Sequence, residues 1–493
     1  MNDARDLALI LRSRFPLVAI ETHEEPRAMQ LLERLCNLEE WALFTWTVTA
    51  GLRRHGRTDI VPATAEFAAA LRHIEKTQQN GIYALLDAHP FIEDPMNRRL
   101  IREIALGYHR TARTLVFVSP AIELPPELAR LSARFTLSLP DLPAIRALIK
   151  EEAELWEREE GSRVKGQQEA LHLLAQHLVG MCRDDARRHL RNAIREDGAI
   201  TMADVEKVLE AKHQALGGDA VLALELETAG FGDVAGLAQL KKWLARRRPV
   251  FLGEKRIPGV HAPKGVLLLG VQGGGKSLAA KAVAGAWGVP LMRLDFAVLY
   301  NKFIGETERR LREALKQADA MAPCVLWIDE IEKGVAGAAG DDGDGGVSRR
   351  VLGTLLTWMA ERKRRVFLVA TANDVSALPP ELLRKGRFDE IFFVDLPDAA
   401  TRRAIFAIHI ARRGLDAQRM DLDRLATAAD GFSGAEIEEA VVSALYESHA
   451  SGRTMDTDLI AEEIARTRPL SVVMAERVDA LRAWAAGRAV MAG

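Results

Sequence analysis

The octet GVQGGGKS at residues 270–277 constrains the fold more than any other feature of the sequence. The apolar run at 266–269 has the length and content of a buried strand, and the alanine-rich run at 278–284 favours a helix. The octet fits the pattern G-x-x-x-x-G-K-S, whose glycines turn backbone N–H groups toward a phosphate at a helix N-terminus. Strand, loop and helix in this order predict an α/β fold that binds a nucleotide.

Within the octet, each residue type has an expected role. We expect the Lys276 ammonium to reach the β- and γ-phosphates of ATP, and the Ser277 hydroxyl to bind Mg²⁺. The other loop residues that we expect to enclose the phosphates are Gly270, Gly273, Gly274, Gly275 and Leu278.

Composition limits the class of protein. A chain of 493 residues is too long for one core and suggests about three domains. The net charge of −2 argues against a nucleic-acid partner, and three widely spaced cysteines without metal-ligand spacing predict a reducing compartment. Arg5 and Arg12 interrupt the N-terminal apolar stretch, and no apolar run approaches the ~18 residues of a membrane span. We therefore expect no signal peptide, no membrane insertion and a cytoplasmic location, or the plastid stroma if the chain is organellar.

A second motif follows the phosphate loop. The apolar run at 324–328 ends in Asp329 and Glu330. Asp329 would orient Mg²⁺, and Glu330 would polarise the water that attacks the γ-phosphate. Two acids after a strand can also form a solvated turn, but their position downstream of a phosphate loop favours the catalytic interpretation.

Two further candidates are weaker when taken alone. Asn373 follows the apolar run at 366–371 and could hold the attacking water, although an asparagine there is more often a turn residue. Arg384 and Arg387 flank Gly386 and could form a surface basic patch. They could also stabilise transition-state charge in the nucleotide site of a neighbouring subunit.

The order of these motifs resembles that of the protein-remodelling branch of the AAA ATPases. The resemblance extends over residues 228–450, from FGDVAGL at 231–237 to GFSGAE at 431–436. It implies a P-loop NTPase three-layer sandwich with a helical lid, a sensor role for Asn373, and fingers at Arg384 and Arg387 that act on a neighbouring subunit. The adenine contacts that it implies come from Asp233, Val234, Gly236, His409, Gly434 and Ala435.

The resemblance also implies an assembly. Phe303 and Ile304, in NKFIGET, match the loop that lines the central pore of the family's rings and grips a polypeptide. An aromatic beside an aliphatic residue is ordinarily core, but the glycine and flanking polar residues favour an exposed loop. Residues 334–347 resemble the second pore loop, and their Gly and Asp content predicts mobility. A homo-oligomeric ring, a hexamer, acting on an unidentified protein client is therefore expected.

The first half of the chain repeats the second without its chemistry. The sequence LPPEL at 124–128 recurs at 378–382. The loop ETHEEP at 21–26 has neither Gly nor Lys, and its three carboxylates would repel a phosphate. Asp87 ends a strand like Asp329 but is followed by Ala88, so no general base stands there.

We therefore predict two AAA-like modules, of which only the second is active. The predicted domains are a degenerate α/β domain at 1–150, a helical lid and linker at 151–227, an ATPase core at 228–400, a lid at 401–470 and an amphipathic helix at 471–493 that packs on the lid or on a neighbouring subunit. This tandem resembles the AAA ATPases first described as a conserved hypothetical chloroplast reading frame and also found in bacteria.

An ATP-gated switch or scaffold, whose output is partner binding by the N-terminal module, stays open as an alternative. A nucleic-acid motor is disfavoured by the net charge. A peptidase is disfavoured because His23-Glu24 has no second histidine four residues after the first, where Arg27 stands.

Overall fold

The structure is a computed structural model that describes residues 2–215, 217, 221–255, 257–300, 306–335, 347–384 and 386–493. Its contacts divide the chain into two compact units. The first comprises Met1–Arg163 and Met181–Asp197, and the second comprises Val164–Gly180 and Gly198–Gly493.

Strands and helices alternate from the start of the chain. Up to residue 215 the elements are α1 (Asn2–Arg12), β1 (Leu17–Glu21), α2 (Glu25–Leu38), β2 (Leu43–Thr47), β3 (Gly51–Arg54), α3 (Phe67–Lys76), β4 (Gly81–Leu86), α4 (Pro95–Leu106), β5 (Arg113–Ser119), α5 (Pro126–Ala129), β6 (Ser132–Thr136), α6 (Leu142–Glu160), β7 (Lys165–Gly166), α7 (Gln168–Leu178), α8 (Arg183–Asp197), β8 (Ala199–Ile200) and α9 (Met202–Ala215).

The same alternation continues in the rest of the chain. From residue 222 the elements are β9 (Leu222–Glu225), α10 (Ala238–Leu252), β10 (Gly265–Gly270), α11 (Lys276–Trp287), β11 (Leu291–Leu294), α12 (Phe296–Tyr300), α13 (Glu306–Ala320), β12 (Cys324–Ile328), α14 (Ile331–Val335), α15 (Val347–Glu361), β13 (Val366–Ala372), β14 (Glu390–Val394), α16 (Ala399–Arg412), α17 (Leu422–Ala428), α18 (Gly434–Ser451), α19 (Thr457–Arg466), α20 (Leu470–Val473), α21 (Ala475–Ala485) and β15 (Val490–Met491).

The sheet of the first unit has the order β3-β2-β4-β5-β1-β6 and is parallel except for β3 at its edge. Every residue of β4 and β5 is buried, as expected for central strands covered by helices on both faces. Two apolar clusters form its core, and they draw alternate residues from the same strands, such as Leu115 and Val116 of β5. Alternate residues of a strand point to opposite faces, so the clusters lie on opposite sides of the sheet.

The sheet of the second unit has the order β15-β14-β10-β13-β12-β11-β9. Its strands are parallel except for β9, which pairs with β11 in the antiparallel direction. Apolar residues of α10, α11 and the central strands form one core, with Trp287 and Phe367 in contact at a ring-centroid distance of 4.6 Å. Helices α16 to α19 enclose a separate apolar core, which is the lid. The predicted α/β fold of a core with a helical lid is thereby confirmed.

The two sheets share one strand order. In the first unit it runs β6-β1-β5-β4-β2, and in the second β14-β10-β13-β12-β11. The strand before the loop at 21–26 therefore takes the place of the strand before the phosphate loop. Asp87 and Glu330 both have a left-handed φ, 49° and 47°, after equivalent strands. By backbone conformation, Asp87 thus occupies the position of Glu330 rather than that of Asp329, its predicted counterpart.

The contacts divide the predicted front lid between the two units. Helices α6 and α8 pack on each other in the first unit, whereas α7 and α9 pack on each other in the second. The predicted boundary at residue 150 also falls inside α6. Helical periodicity predicts these helices but does not predict which core each one covers, because that depends on long-range contacts.

The C-terminal helix does not pack as predicted. Its apolar stripe, Val478, Leu481 and Ala485, is buried, but against the core of its own unit. The residues that precede it contact the lid, where the Leu470 N–H donates to a Glu436 carboxylate oxygen at 2.7 Å. A short strand, β15, then joins the sheet beside β14, which sequence periodicity did not indicate.

Candidate nucleotide-binding site

The phosphate loop lies between β10 and α11, as the sequence predicts. Gly273 and Gly275 have left-handed φ values of 76° and 88°, a conformation that side chains with a Cβ rarely adopt. A Cβ on Gly270 would lie 2.0 Å from the Val394 carbonyl oxygen, so glycine is required there by close approach of β14. The loop backbone therefore depends on its glycines at several points.

Lys276 is buried at the start of α11. Its ammonium donates to the carbonyl oxygens of Gly270 and Val271 at 2.9 and 2.8 Å. Burial lowers the pKa of Lys276 to about 8, although the neighbouring carboxylates, Glu332 foremost, oppose the shift. The loop thus holds a cation in a site shielded from water, where its attraction for an anion is stronger than in bulk solvent.

Asp329 lies beside the serine of the loop. The Ser277 hydroxyl donates to Asp329 Oδ1 at 3.1 Å, and the Thr371 hydroxyl donates to the same oxygen at 2.6 Å. Hydroxyl and carboxylate oxygens are the ligands that Mg²⁺ prefers. Ser277 and Asp329 therefore fit a magnesium ion at this point.

Glu330 and Asn373 are in direct contact. The Asn373 side-chain amide donates to Glu330 Oε1 at 2.8 Å, and the Lys333 ammonium pairs with the other oxygen. The Asn373 backbone N–H donates to Glu332 Oε1 at 2.8 Å, which fixes the residue after β13. Burial raises the pKa of Glu332, and the Asn373 N–H opposes that shift.

One cavity of about 730 Å³ in the second unit joins these groups. The predicted site residues that line it are Asp233, Val234, Gly236, Gly273, Gly274, Gly275, Lys276, Ser277, Leu278, Asp329, Glu330, Asn373, His409, Gly434 and Ala435. His409 is buried, and burial lowers its pKa, with Glu438 opposing. The Ala435 N–H donates to the Gly273 carbonyl oxygen at 3.2 Å, so lid and loop meet at the cavity wall.

Three predicted site residues do not line the cavity. Gly270 contributes only its carbonyl oxygen, to Lys276. Arg384 is exposed, and the Arg387 guanidinium donates to the Leu356 carbonyl oxygen. Phe303 and Ile304, and residues 336–346 of the proposed second pore loop, lie outside the described residues.

Several residues of the site were missed by sequence analysis. Thr371 accepts the Glu330 N–H at 2.9 Å while donating to Asp329, so it links both acids. Its place near the carboxyl end of β13, beside β12, was the available signal. Asp395, which follows β14, also lines the cavity, as does Met491 of β15. Nothing in the sequence pattern indicates the place of Met491.

In the first unit, the loop at 21–26 that follows β1 is held by hydrogen bonds and ion pairs within the same unit. Glu24, 3% exposed, accepts the backbone N–H of Arg183 at the start of α8 and pairs with Arg27, both at 2.8 Å. Arg27 pairs further with Asp3 at 2.8 Å. A buried and paired carboxylate therefore lies in the loop after β1, the strand that takes the place of β10 in the shared strand order.

The loop, the acidic strand end and the cavity define the second unit as a P-loop NTPase. Comparison with known families agrees. A model for the N-terminal domain of SpoVK-like AAA ATPases matches residues 3–137, and one for their second domain matches residues 143–219. The model of the ATPase family associated with various cellular activities (AAA) matches residues 266–396.

Similar proteins extend this result to the whole chain. The AAA domain-containing protein ycf46 of Pyropia yezoensis is 33% identical over 494 residues, covering 99% of both chains. The protein of the same name from Guillardia theta is 33% identical over 489 residues, 98% of this chain and 95% of that protein. The ATP-dependent zinc metalloprotease FtsH 3 of Synechocystis is 36% identical over 264 residues, 52% of this chain and 43% of that protein. The chain belongs to the AAA ATPase family: it binds ATP and is an ATPase.

Among the residues that the structure describes, no helix has both the length and the apolar content needed to cross a membrane.

Proposed function

We propose that this chain hydrolyses ATP with Mg²⁺ in a single site, that of the second unit, and does so as a ring. The observation that carries the proposal is the contact series from Ser277 through Asp329 to Thr371, with Glu330 and Asn373 beside it. Ser277 and Asp329 would hold Mg²⁺, which would neutralise charge on the phosphates. Asp233, Val234, Gly236, His409, Gly434 and Ala435 would surround the adenine.

Glu330 would act as the general base. A water attacks the γ-phosphorus, its proton passes to the Glu330 carboxylate, and the bond to the ADP oxygen breaks. In the structure, the Asn373 amide and the Lys333 ammonium contact Glu330. We propose that Asn373 exchanges this contact for one to the attacking water or the γ-phosphate.

The ring would complete each site. Arg384 and Arg387 do not line the cavity of their own chain, and a guanidinium is most useful where it meets developing negative charge. We propose that both arginines act on the nucleotide of the neighbouring subunit in a hexamer, and that Phe303 and Ile304 move a protein client through the pore. A cytoplasmic location, or the plastid stroma, suits such a machine.

The ring is tested by ATP turnover per chain as a function of protein concentration. We expect turnover to fall on dilution as subunits separate, and Arg387→Ala to have low turnover at every concentration. Turnover per chain that stays constant down to dilute monomer would exclude the need for a neighbouring subunit.

A second candidate is an ATP-gated scaffold whose output is partner binding by the first unit. The buried Glu24 favours it, because its bond to the Arg183 N–H and its pair with Arg27 fix the start of α8 within the first unit. Phe303→Ala separates the two candidates: a remodelling machine loses client processing, whereas a scaffold keeps nucleotide-dependent partner binding.

A further inference from the structure

The residues after the lid form an additional wall of the nucleotide site. We call residues 469–493 the strap. Within it, α20 follows the lid, α21 lies on the core, and β15 pairs with β14 at the edge of the sheet. Each of these parts contacts a different piece of the site.

Helix α21 is attached to the ends of two strands. Arg477 pairs with Asp374, the residue after Asn373, at 3.1 Å. Arg482 makes a two-pronged contact with Asp395, which follows β14 and lines the cavity, with both contacts at 3.0 Å. Because β13 and β14 flank β10 in the sheet, a helix fixed to both ends crosses over the phosphate loop.

The buried face of α21 lies opposite the phosphate loop. A small cavity of about 40 Å³ is bounded by Val271, Gln272 and Asn373 on one side, and by strap residues that include Val478 and Leu481 on the other. Val478 and Leu481 are 4% and 7% exposed, so the helix covers the outer side of the phosphate loop with apolar contacts. The phosphate loop and α21 therefore face each other across this cavity.

Both ends of the strap reach further parts of the site. At its start, the Leu470 N–H bonds to Glu436, which also caps the lid helix α18 by accepting the Ser433 N–H at 2.8 Å. Near its end, Ala492 is buried and its carbonyl oxygen accepts the Gln239 N–H at 3.0 Å, at the start of α10. Met491 lines the cavity.

We propose that the strap is a positioning element for ATP hydrolysis, in which Arg477 positions Asn373 through Asp374 and Arg482 positions the cavity edge through Asp395. The proposal deepens the function proposed above and rests on it. Since the lid, the sensor residue and the phosphate loop all contact the strap, closure of the lid on nucleotide is transmitted to Asn373 through it.

The test compares Arg477→Ala and Arg482→Ala with Arg488→Ala. Arg488 is the matched control, because its contacts with the described residues stay within the strap: it bonds to the Trp484 carbonyl oxygen and lies over the Trp484 ring. Turnover and KM for ATP are measured at a protein concentration where turnover per chain no longer rises. Exposed ion pairs contribute modestly, so we expect Arg477→Ala to lower kcat about threefold to fivefold with KM nearly unchanged. Arg482→Ala should mainly raise KM, by about the same factor.

A conservative variant and hydrogen exchange distinguish a role of Arg477 in positioning Asn373 from a role in the stability of the fold alone. Arg477→Lys should recover most of kcat, and hydrogen exchange at 373–376 should be faster in Arg477→Ala than in Arg488→Ala. Equal kinetics and equal exchange in all three alanine variants would overturn the strap proposal. So would losses of kcat that follow the melting temperature and are shared by Arg488→Ala. An inactive wild-type protein would instead overturn the proposed hydrolysis, and the exchange comparison would still decide the role of the strap.

Discussion

Burial of the Lys276 ammonium gives the nucleotide site a pH dependence. Its pKa is lowered to about 8 by burial, and the bound phosphates would favour the protonated form. Above pH 8 the free protein loses this proton, so binding of ATP must take one up. We expect ATP affinity at pH 9 to be about tenfold lower than at pH 7.

The measurement is a calorimetric titration with ATP across this pH range, with Lys276→Arg as control. Arginine keeps its charge at pH 9, so any affinity that it retains should vary little over the range. An equal loss in both proteins would place the titrating group elsewhere. Lys276→Ala should bind no ATP at any pH.

The proposed role of Glu330 as general base can be tested by removing its carboxylate. Replacing its carboxylate in Glu330→Gln removes the proton acceptor but keeps an oxygen that the Asn373 amide can bond. We expect turnover to fall by about two to four orders of magnitude, with ATP affinity within a few-fold of wild type. Phosphate release and ATP binding are measured on the same preparation, and wild-type turnover in the variant would remove Glu330 as the base.

Among single residues, the sequence predicts those site residues that belong to a recognisable motif. Lys276, Ser277, Asp329 and Glu330 belong to contiguous segments with a defined strand and helix around them. Thr371 and Asp395 line the cavity because β13 and β14 flank β10 in the sheet, and local pattern does not predict that strand order. Residues of this second kind could be found only once the sheet was known.

Among the elements, the close approach of β14 to the phosphate loop makes a sharp prediction. In Gly270→Ala, the added Cβ would lie 2.0 Å from the Val394 carbonyl oxygen, so the two strands must separate. We expect a loss of about 1–3 kcal/mol in the free energy of unfolding, and weaker ATP binding.

Gly353→Ala is the matched control for that change. Gly353 lies inside α15, and a Cβ added there meets no atom within 4 Å. Alanine favours the helix, so this variant should be more stable by about 0.5–1 kcal/mol. Denaturant unfolding of both variants checks the pair, and a Gly270→Ala protein as stable as wild type would show that β14 can move away freely.

Elements with strong periodicity were predicted correctly, and those defined by their partners were not. The strand at 266–269 and the helix after the phosphate loop follow from local pattern. The two-residue strand β15 has no pattern of its own and is held by hydrogen bonds to β14. The stripe of α21 indicated a buried face but could not specify the surface that buries it.

In the whole molecule, two units have the same strand order but differ in the loop that follows the equivalent strands β1 and β10. In the second unit the loop after the equivalent strand borders a cavity and holds a buried lysine, and in the first unit that loop holds the buried Glu24. Duplicated topology was visible in the repeated motifs, and loss of the phosphate loop was visible in the composition of residues 21–26. The sequence did not indicate that α6 and α8 belong to one unit and α7 and α9 to the other.

The structural role of Glu24 can be tested through its hydrogen bond to the Arg183 N–H at the start of α8. Glu24→Ala removes the acceptor for the Arg183 N–H and leaves Arg27 with Asp3 and the Ser138 carbonyl oxygen. We expect faster hydrogen exchange in the first turn of α8 and a loss of about 1–2 kcal/mol in stability. Glu21→Ala, an exposed change in the same loop, should leave exchange in α8 unaltered. Similar exchange in both variants would mean that Glu24 does not hold the helix.

The central claim is that two related units share one working nucleotide site. It is tested most directly by calorimetric titration of Glu330→Gln with MgATP, because this variant should bind without turnover. We predict one ATP per chain, and none when Lys276→Ala is added. Two ATP molecules per chain, or one that survives loss of Lys276, would contradict the account by placing a nucleotide outside the second unit's phosphate loop.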